Sequence, residues 1–86
     1  MDIAIITQYQ TNRKGAGQIK ATSGHGQVTI SYDHSRSVEE NHVDAMVAMT
    51  NKIRRELDWE VTVKGGTTRD LGNGKRAWKV EGHPKR

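Results

Sequence analysis

The sequence contains no cysteine and no phenylalanine, and only one of its 86 residues is a proline. Without cysteine the chain can form no disulfide and can bind no metal through a thiolate, which is consistent with a reducing compartment. Hydrophobic residues make up only 33% of the chain. The core must therefore be small, and either the large apolar side chains converge on one place or a second copy of the chain covers them. The aromatic members of that set are Tyr9, Tyr32, Trp59 and Trp78.

Long hydrophobic runs are also missing. The first six residues, MDIAII, have no basic region and no extended apolar stretch, which argues against a secretory signal peptide. No segment of the sequence reaches the length of a transmembrane helix. We therefore expect a cytoplasmic protein that has no membrane partner.

Positive charge is concentrated in the last third of the chain. The formal net charge is +4. Lys and Arg number three against two Asp and Glu in residues 1–35, four against five in 36–58, and seven against three in 59–86. A localised basic surface attracts polyanions, although a solubilising surface with a basic tail would have the same composition.

The predicted order of elements is β-β-β-α-β-β. Alternating apolar and polar residues indicate the strands, and the glycine-rich residues 65–74 indicate a loop. One amphipathic helix on a mostly antiparallel sheet is a two-layer α+β arrangement. We expect one α+β domain over residues 1–82 and a frayed basic tail at 83–86. The predicted strands span residues 3–9, 17–23, 27–33 and 75–81, with a further strand that begins at Trp59.

The helix is predicted over residues 38–57. Ser37 and Glu40 form the S-x-x-E capping box that marks its start, and basic residues in its last turn complement the helix dipole. Mostly apolar side chains recur on one face, and Val43 and Val47 widen that face. The residues of the face are Val38, His42, Ala45, Met46, Met49, Ile53 and Leu57.

No catalytic or metal-binding motif stands out. The four histidines lack the close spacing of zinc ligands, and neither a P-loop nor a dinucleotide-binding glycine motif is present, so no cofactor is predicted. Asp33, His34, Glu39, Glu40 and His42 have the side chains to hold a metal or to transfer protons. The simpler interpretation is structural, because Asp33 and His34 lie at a strand end and His42 lies on the apolar helix face. We expect a protein without enzymatic activity.

Nucleic acid, as DNA or RNA, is the ligand class that the residue pattern favours. A sheet can enter the major groove of DNA, where polar side chains on its exposed face meet base edges and basic side chains meet phosphates. The predicted outward-facing polar residues include Gln8, Gln18, Lys20, Thr22, Gln27 and Thr29. The basic candidates for nucleic-acid contact are Arg13, Lys14, Lys20, Lys75, Arg76 and Lys79.

Two other interpretations stay open. A polar sheet face is often only a solvated surface. The chain is alternatively a protein-interaction module that acts on a host protein or forms a homo-oligomer, and such a module would expose an apolar patch or a free sheet edge.

The segment YDHSRSVEENH at residues 32–42 resembles a segment of small proteins of actinobacteriophages and their hosts. In those proteins a strand ending in Tyr-Asp-His-Ser leads into a helix that carries Glu-Asn-His near its start. A Trp just after the helix and a Gly-rich loop before an aromatic last strand are also similar, here at Trp59, Gly65-Gly66 and Trp78. The resemblance implies a phage-type accessory protein in the host cytoplasm, and it assigns no activity and no functional residues. A junction that locks the strand to the helix would explain the motif equally well. The residues of this motif, whose role the sequence leaves open, are Tyr32, Asp33, His34, Asn41 and His42.

Overall fold

The computed structural model describes residues 1–66 and 74–85. Most of the predicted loop at 65–74 lies outside the described residues, as does Arg86. The described elements follow the predicted order and form the predicted two-layer α+β fold, in which an antiparallel sheet is covered on one face by a helix. The elements are β1 (Asp2–Thr11), β2 (Gly17–Ser23), β3 (Gly26–Ser31), α1 (Val38–Leu57), β4 (Trp59–Gly66) and β5 (Lys75–Pro84).

β1 is the central strand of the sheet. The strand order is β3-β2-β1-β5-β4, and every pairing is antiparallel. Helix α1 therefore carries the chain from one edge of the sheet, β3, across the inner face to the other edge, β4. It contacts all five strands on the way, so one helix covers the apolar side of the whole sheet.

Three strands have limits that differ from the prediction, and the first of them, β1, spans Asp2–Thr11 where residues 3–9 were predicted. β5 continues to Pro84, because Glu60 pairs with His83 and Trp59 pairs with Pro84. The strand therefore extends two residues into the segment that was predicted to be a basic tail. β3 ends at Ser31, before the predicted limit at residue 33, because the N–H of Asp33 donates to an asparagine side chain of α1.

Helix α1 begins and ends where the sequence predicts. The N–H of Glu40 donates to Ser37 Oγ at 3.1 Å, and the N–H of Ser37 donates to Glu40 Oε1 at 3.0 Å, which completes the predicted capping box. Hydrogen bonding of the Glu40 carboxyl to the backbone N–H and side chain of Ser37 lowers the pKa of this carboxyl. The helix stops at Asp58, which adopts a left-handed conformation with φ 53°.

The buried face of α1 is narrower than predicted. Successive helical residues are about 100° apart, so Val47 lies about 100° from Met46 and points away from the sheet. Val43 also lies outside the covered arc and is exposed, so the prediction that Val43 and Val47 widen the buried face was wrong. Val38 and Leu57 lie on the predicted face, but they are the first and last residues of α1 and remain exposed there. Over the described residues, no helix is both long enough and apolar enough to cross a membrane. The buried residues of α1 are Asn41, His42, Ala45, Met46, Met49, Thr50 and Ile53.

The core lies between α1 and the inner face of the sheet. Trp59 and Trp78 pack against it while remaining partly exposed. Gly66 makes room for Trp78, because a Cβ atom at this position of β4 would overlap the indole ring. The buried apolar residues are Ile3, Ile5, Ile19, Ala21, Ala45, Met46, Met49, Ile53, Val61 and Val80.

Candidate nucleic-acid surface and aromatic pocket

The outer sheet face, which α1 leaves uncovered, carries polar side chains in ordered rows. Cross-strand pairing aligns Thr29, Lys20, Gln8 and Lys75 in one row across β3, β2, β1 and β5. A second row lies closer to the β1–β2 turn, and this end of the sheet is here called the upper end. We define the upper outer face by the two rows together: Gln8, Gln10, Gln18, Lys20, Thr29, Ser31 and Lys75.

The opposite, lower end of the outer face differs in charge. We define the lower outer face by three ion pairs: Lys79–Asp2 at 3.9 Å, Lys64–Glu81 at 3.5 Å and His83–Glu60 at 3.2 Å, the last requiring protonated histidine. The upper outer face contains no carboxylate. Within the described part of the chain, neither Lys20 nor Lys75 has an ion-pair partner. Among the residues that the structure describes, no carboxylate therefore balances the positive charge at the upper end of the outer face.

Two further cations lie at the upper end, in the turn between β1 and β2. Asn12 Oδ1 accepts hydrogen bonds from the backbone N–H groups of Lys14 at 2.8 Å and Ala16 at 3.0 Å, and Gly15 adopts a φ of 79°. This tight turn leaves Arg13 and Lys14 exposed. Because the turn joins the upper ends of β1 and β2, both cations adjoin the upper outer face.

Arg76 and Lys79 do not lie on this basic surface, so their grouping with the other candidates does not hold. Arg76 pairs with Thr7 on the inner face, its side chain is only 8% exposed, and its Nη2 lies 2.9 Å from Glu39 Oε1. Lys79 belongs to the lower outer face. Since neighbouring residues of a strand point to opposite faces, Lys75 and Arg76 are separated by the sheet. The structure brings together four of the six basic candidates: Arg13, Lys14, Lys20 and Lys75.

A pocket of about 360 Å³ opens on the inner side of the sheet at the same upper end, beside the start of α1. The rings of Tyr9 and Tyr32 meet edge to face, with centroids 5.2 Å apart and planes at 87°. The His34 ring lies 5.0 Å from that of Tyr32. Tyr9 and His34 are exposed, so this aromatic wall is open to solvent. The residues lining this aromatic pocket are Tyr9, Tyr32, His34, Val38, His42, Gly74 and Arg76.

Buried hydrogen bonds behind the pocket hold His42 in place. The indole N–H of Trp78 donates to Thr7 Oγ1 at 2.9 Å, and Thr7 Oγ1 lies 2.7 Å from His42 Nδ1. Because the indole N–H can only donate, Thr7 Oγ1 accepts this hydrogen bond. With Thr7 fully buried and His42 only 1% exposed, the three side chains form a rigid support for the pocket.

The motif at residues 32–42 divides into a junction and a part of the pocket wall. Asn41 Nδ2 donates to the carbonyls of Asp33 and Ser37, each at 2.9 Å, and its Oδ1 accepts from the N–H of Asp33 at 2.8 Å. Asp33 Oδ1 accepts from the hydroxyl and the N–H of Ser35, and these bonds lower the pKa of the Asp33 carboxyl. Asp33 and Asn41 thus lock the strand to the helix. The remaining motif residues line the aromatic pocket: Tyr32, His34 and His42.

The histidines lie in different environments. The His25 ring packs edge-on against Trp59 with centroids 5.5 Å apart, and His83 belongs to the lower outer face. His34 and His42 line the aromatic pocket. In the ranges 1–66 and 74–85, no group of three or more His, Asp or Glu side chains is placed to hold a metal ion.

Sequence reasoning missed the contribution of Tyr9 and Arg76 to the pocket. The two residues lie far apart in the chain and come together because β1 pairs with β5. The alternation of side chains along each strand predicts that both residues lie on the inner face. This alternation is the one feature of the sequence that could have pointed to their place in the pocket. Alternation does not identify the neighbouring strand, so the pocket could not be assembled from it.

Comparisons of this chain with protein-family models, with curated proteins and with solved structures give no match. The geometry of the upper outer face and of the aromatic pocket is therefore the basis for assigning a function.

Proposed function

We propose that the protein binds nucleic acid through the upper outer face and the adjoining β1–β2 turn. The observation that carries this proposal is the separation of charge on the outer face. Cations at the upper end stand among amides and hydroxyls, whereas cations at the lower end are paired with carboxylates of the same chain. The four cations of the proposed surface are Arg13, Lys14, Lys20 and Lys75.

Phosphate binding follows from the unpaired charges. A cation that neutralises a phosphate releases condensed counterions, and this release drives much of the binding of proteins to nucleic acid. A lysine already paired with a carboxylate, such as Lys79 with Asp2, has less charge to offer. The upper end of the face is thus better suited to a polyanion than the lower end.

The neutral side chains between the cations supply a second kind of contact. Gln8 lies between Lys20 and Lys75 in the same row, and Thr29 follows Lys20 on the edge strand. Amides and hydroxyls donate and accept hydrogen bonds with sugars, phosphates and base edges. This proposal is for binding alone and includes no catalytic step. The accessory role in a phage-type system, which the resemblance of residues 32–42 implies, is compatible with it and stays a prediction.

The test compares two double variants that remove the same charge from the same face. Lys20→Gln with Lys75→Gln removes both lysines of the upper outer face, and Lys64→Gln with Lys79→Gln removes two from the lower outer face. Binding of fluorescent single-stranded and duplex DNA and of RNA is measured by anisotropy at low salt. We expect the upper double variant to bind roughly tenfold or more weakly, and the lower one to bind nearly as well as the original protein.

Two results would overturn this assignment. One is the failure of the unaltered protein to bind any of these probes at about 50 mM salt, where phosphate contacts are strong. The other is an equal loss of affinity in both double variants, which would show that binding depends on net charge and not on the upper outer face. The first result would leave the protein-interaction module as the alternative hypothesis.

A further inference from the structure

We propose that the aromatic pocket takes an unpaired base of the nucleic-acid strand that lies on the upper outer face, which makes single-stranded nucleic acid the preferred ligand. This inference rests on the proposed function and adds the recognition of a base to the binding of phosphates. It assigns Tyr9, Tyr32 and His34 a role in stacking.

The pocket and the basic surface lie on opposite faces of the sheet, at the same upper end. Tyr9 lies in β1 between Gln8 and Gln10 of the upper outer face, and its own side chain points to the pocket. Its N–H donates to the carbonyl of Gly74 at 3.3 Å, and Gly74 lines the pocket directly before Lys75. A nucleic-acid strand held by Lys75 would therefore pass over the upper end of the sheet to reach the pocket.

The β1–β2 turn approaches the same rim from the other side. Gly17, the first residue of β2 after the turn, lies against both tyrosines: a Cβ atom there would come within 2.9 Å of Tyr9 Oη and 3.2 Å of Tyr32 Cβ. Arg13 and Lys14 in the turn are exposed. Cations therefore flank the aromatic wall on two sides.

The shape of the wall suits a flat ring system. Because the planes of Tyr9 and Tyr32 stand at 87°, a ring that stacks on one tyrosine meets the edge of the other, and both arrangements are favourable between aromatic rings. Every nucleobase offers a flat π-face, and aromatic side chains flanked by cations are the usual means of binding single strands. Arg76, held by Glu39 at 2.9 Å, adds a guanidinium to the lining of this pocket.

The size of the pocket selects an unpaired base. A volume of about 360 Å³ is at the small end of the range for ligand pockets, which suits one ring system and not a base pair. A base within a duplex is covered on both faces by its neighbours and must leave the stack to enter a pocket. A base of a single strand is free to do so.

The first experiment uses the unaltered protein and changes the ligand. A short thymidine oligonucleotide is compared with an abasic strand of the same length, which carries the same phosphates and no bases. We expect the abasic strand to bind about 5- to 100-fold more weakly. A single-stranded oligonucleotide should also bind more tightly than a duplex of the same length at the same salt.

The second experiment changes the pocket. Tyr9→Leu removes the ring and keeps apolar bulk, and Tyr9→Phe is the matched control that keeps the ring. We expect Tyr9→Leu to weaken binding of the thymidine strand about fivefold or more while binding of the abasic strand stays the same, and Tyr9→Phe to bind as the original protein does. His34→Ala is a second variant at an exposed position, so the test remains available if the Tyr9 variants fold poorly.

The outcomes separate this inference from the proposed function. Equal affinity for thymidine and abasic strands, with no effect of Tyr9→Leu or His34→Ala, would overturn the role of the pocket and leave phosphate binding by the upper outer face intact. The absence of binding to any strand would overturn both. A loss that is equal for thymidine and abasic strands would also count against stacking.

Discussion

At the scale of single residues, Asn41 is the side chain on which the junction between β3 and α1 most depends. It is 1% exposed and bonds to both backbone groups of Asp33 and to the carbonyls of Arg36 and Ser37. The N–H of Asp33 lies where the strand has ended and the helix has not begun, so neither element satisfies it. The carbonyls of Asp33 and Ser37 also accept from the backbone N–H groups of Arg36 and Asn41. At the N–H of Asp33, one buried amide therefore replaces the hydrogen bond of regular structure.

We predict that Asn41→Ala destabilises the protein by about 2–4 kcal/mol, because it removes a buried side chain together with its hydrogen bonds to the backbone of the junction. For a domain of this size the midpoint of thermal unfolding should fall by about 10 °C or more, which circular dichroism would detect. The matched control is Asn51→Ala on the exposed side of the same helix, where we expect a change within about 0.5 kcal/mol. Similar midpoints for the two variants would contradict the role given to Asn41.

The role of Asn41 in the motif could be predicted only in part from the sequence. A structural junction was one of its two interpretations of residues 32–42, and it describes Asp33 and Asn41 well. The bonds of Asn41 could not be read from the sequence, because its partners are backbone atoms that have no sequence signature. The capping box of Ser37 and Glu40 was predictable, since both of its partners are local side chains at fixed spacing.

At the scale of elements, the neighbouring strands β4 and β5 pack together through a glycine on one strand and an aromatic ring on the other. Trp78 of β5 lies over Gly66 of β4, and the same indole donates to Thr7 of β1. The ring thus links three strands on the inner face. Its position depends on the absence of a side chain at residue 66.

Gly66→Ala should therefore destabilise the protein by about 1–3 kcal/mol, as overpacking of a filled site does. Gly65→Ala is the neighbouring control, because a Cβ atom at residue 65 would meet no atom within 4 Å, and we expect it to be neutral or slightly stabilising. Urea denaturation followed by tryptophan fluorescence would measure both. Equal stability of the two variants would show that the indole can move aside at little cost.

The periodicity of apolar residues predicts some properties of helix α1 and not others. Its limits at residues 38 and 57 were predictable from the cap and from the repeat of apolar residues. The width of its buried face was not, because periodicity defines a direction on the helix and does not define how much of the surface a sheet will cover. Val43 and Val47 lie just outside the covered arc, and Asn41 and Thr50 lie within it.

At the scale of the whole molecule, charge is sorted along the sheet. Acidic side chains of the outer face lie at the lower end, where each is paired with a cation. Two lysines and the β1–β2 turn make the upper end basic. This arrangement leaves the cations of the upper end available to a polyanion.

The salt dependence of nucleic-acid binding measures how many cations of the upper end contact phosphates. If the four cations of the upper end each neutralise one phosphate of a single strand, the plot of log K against log salt concentration should have a slope of about −3. Lys20→Gln with Lys75→Gln should reduce the slope to about −1.5, whereas the lower double variant should keep it. Anisotropy titrations between about 25 and 200 mM salt would measure the three slopes, and identical slopes would contradict the proposed surface.

The sequence by itself determined the order of elements, the limits of α1, its capping box and the polar character of the outer face. Each of these depends on local spacing: a period of two in strands, a period of 3.6 in the helix, and a cap with partners three residues apart. Only the tertiary structure decided that Arg76 is buried against Glu39, that Lys79 is paired, and that Tyr9, Tyr32 and His34 form one wall. Those outcomes depend on which strands are neighbours and in what register, and pairing between distant segments leaves no periodic pattern in either of them.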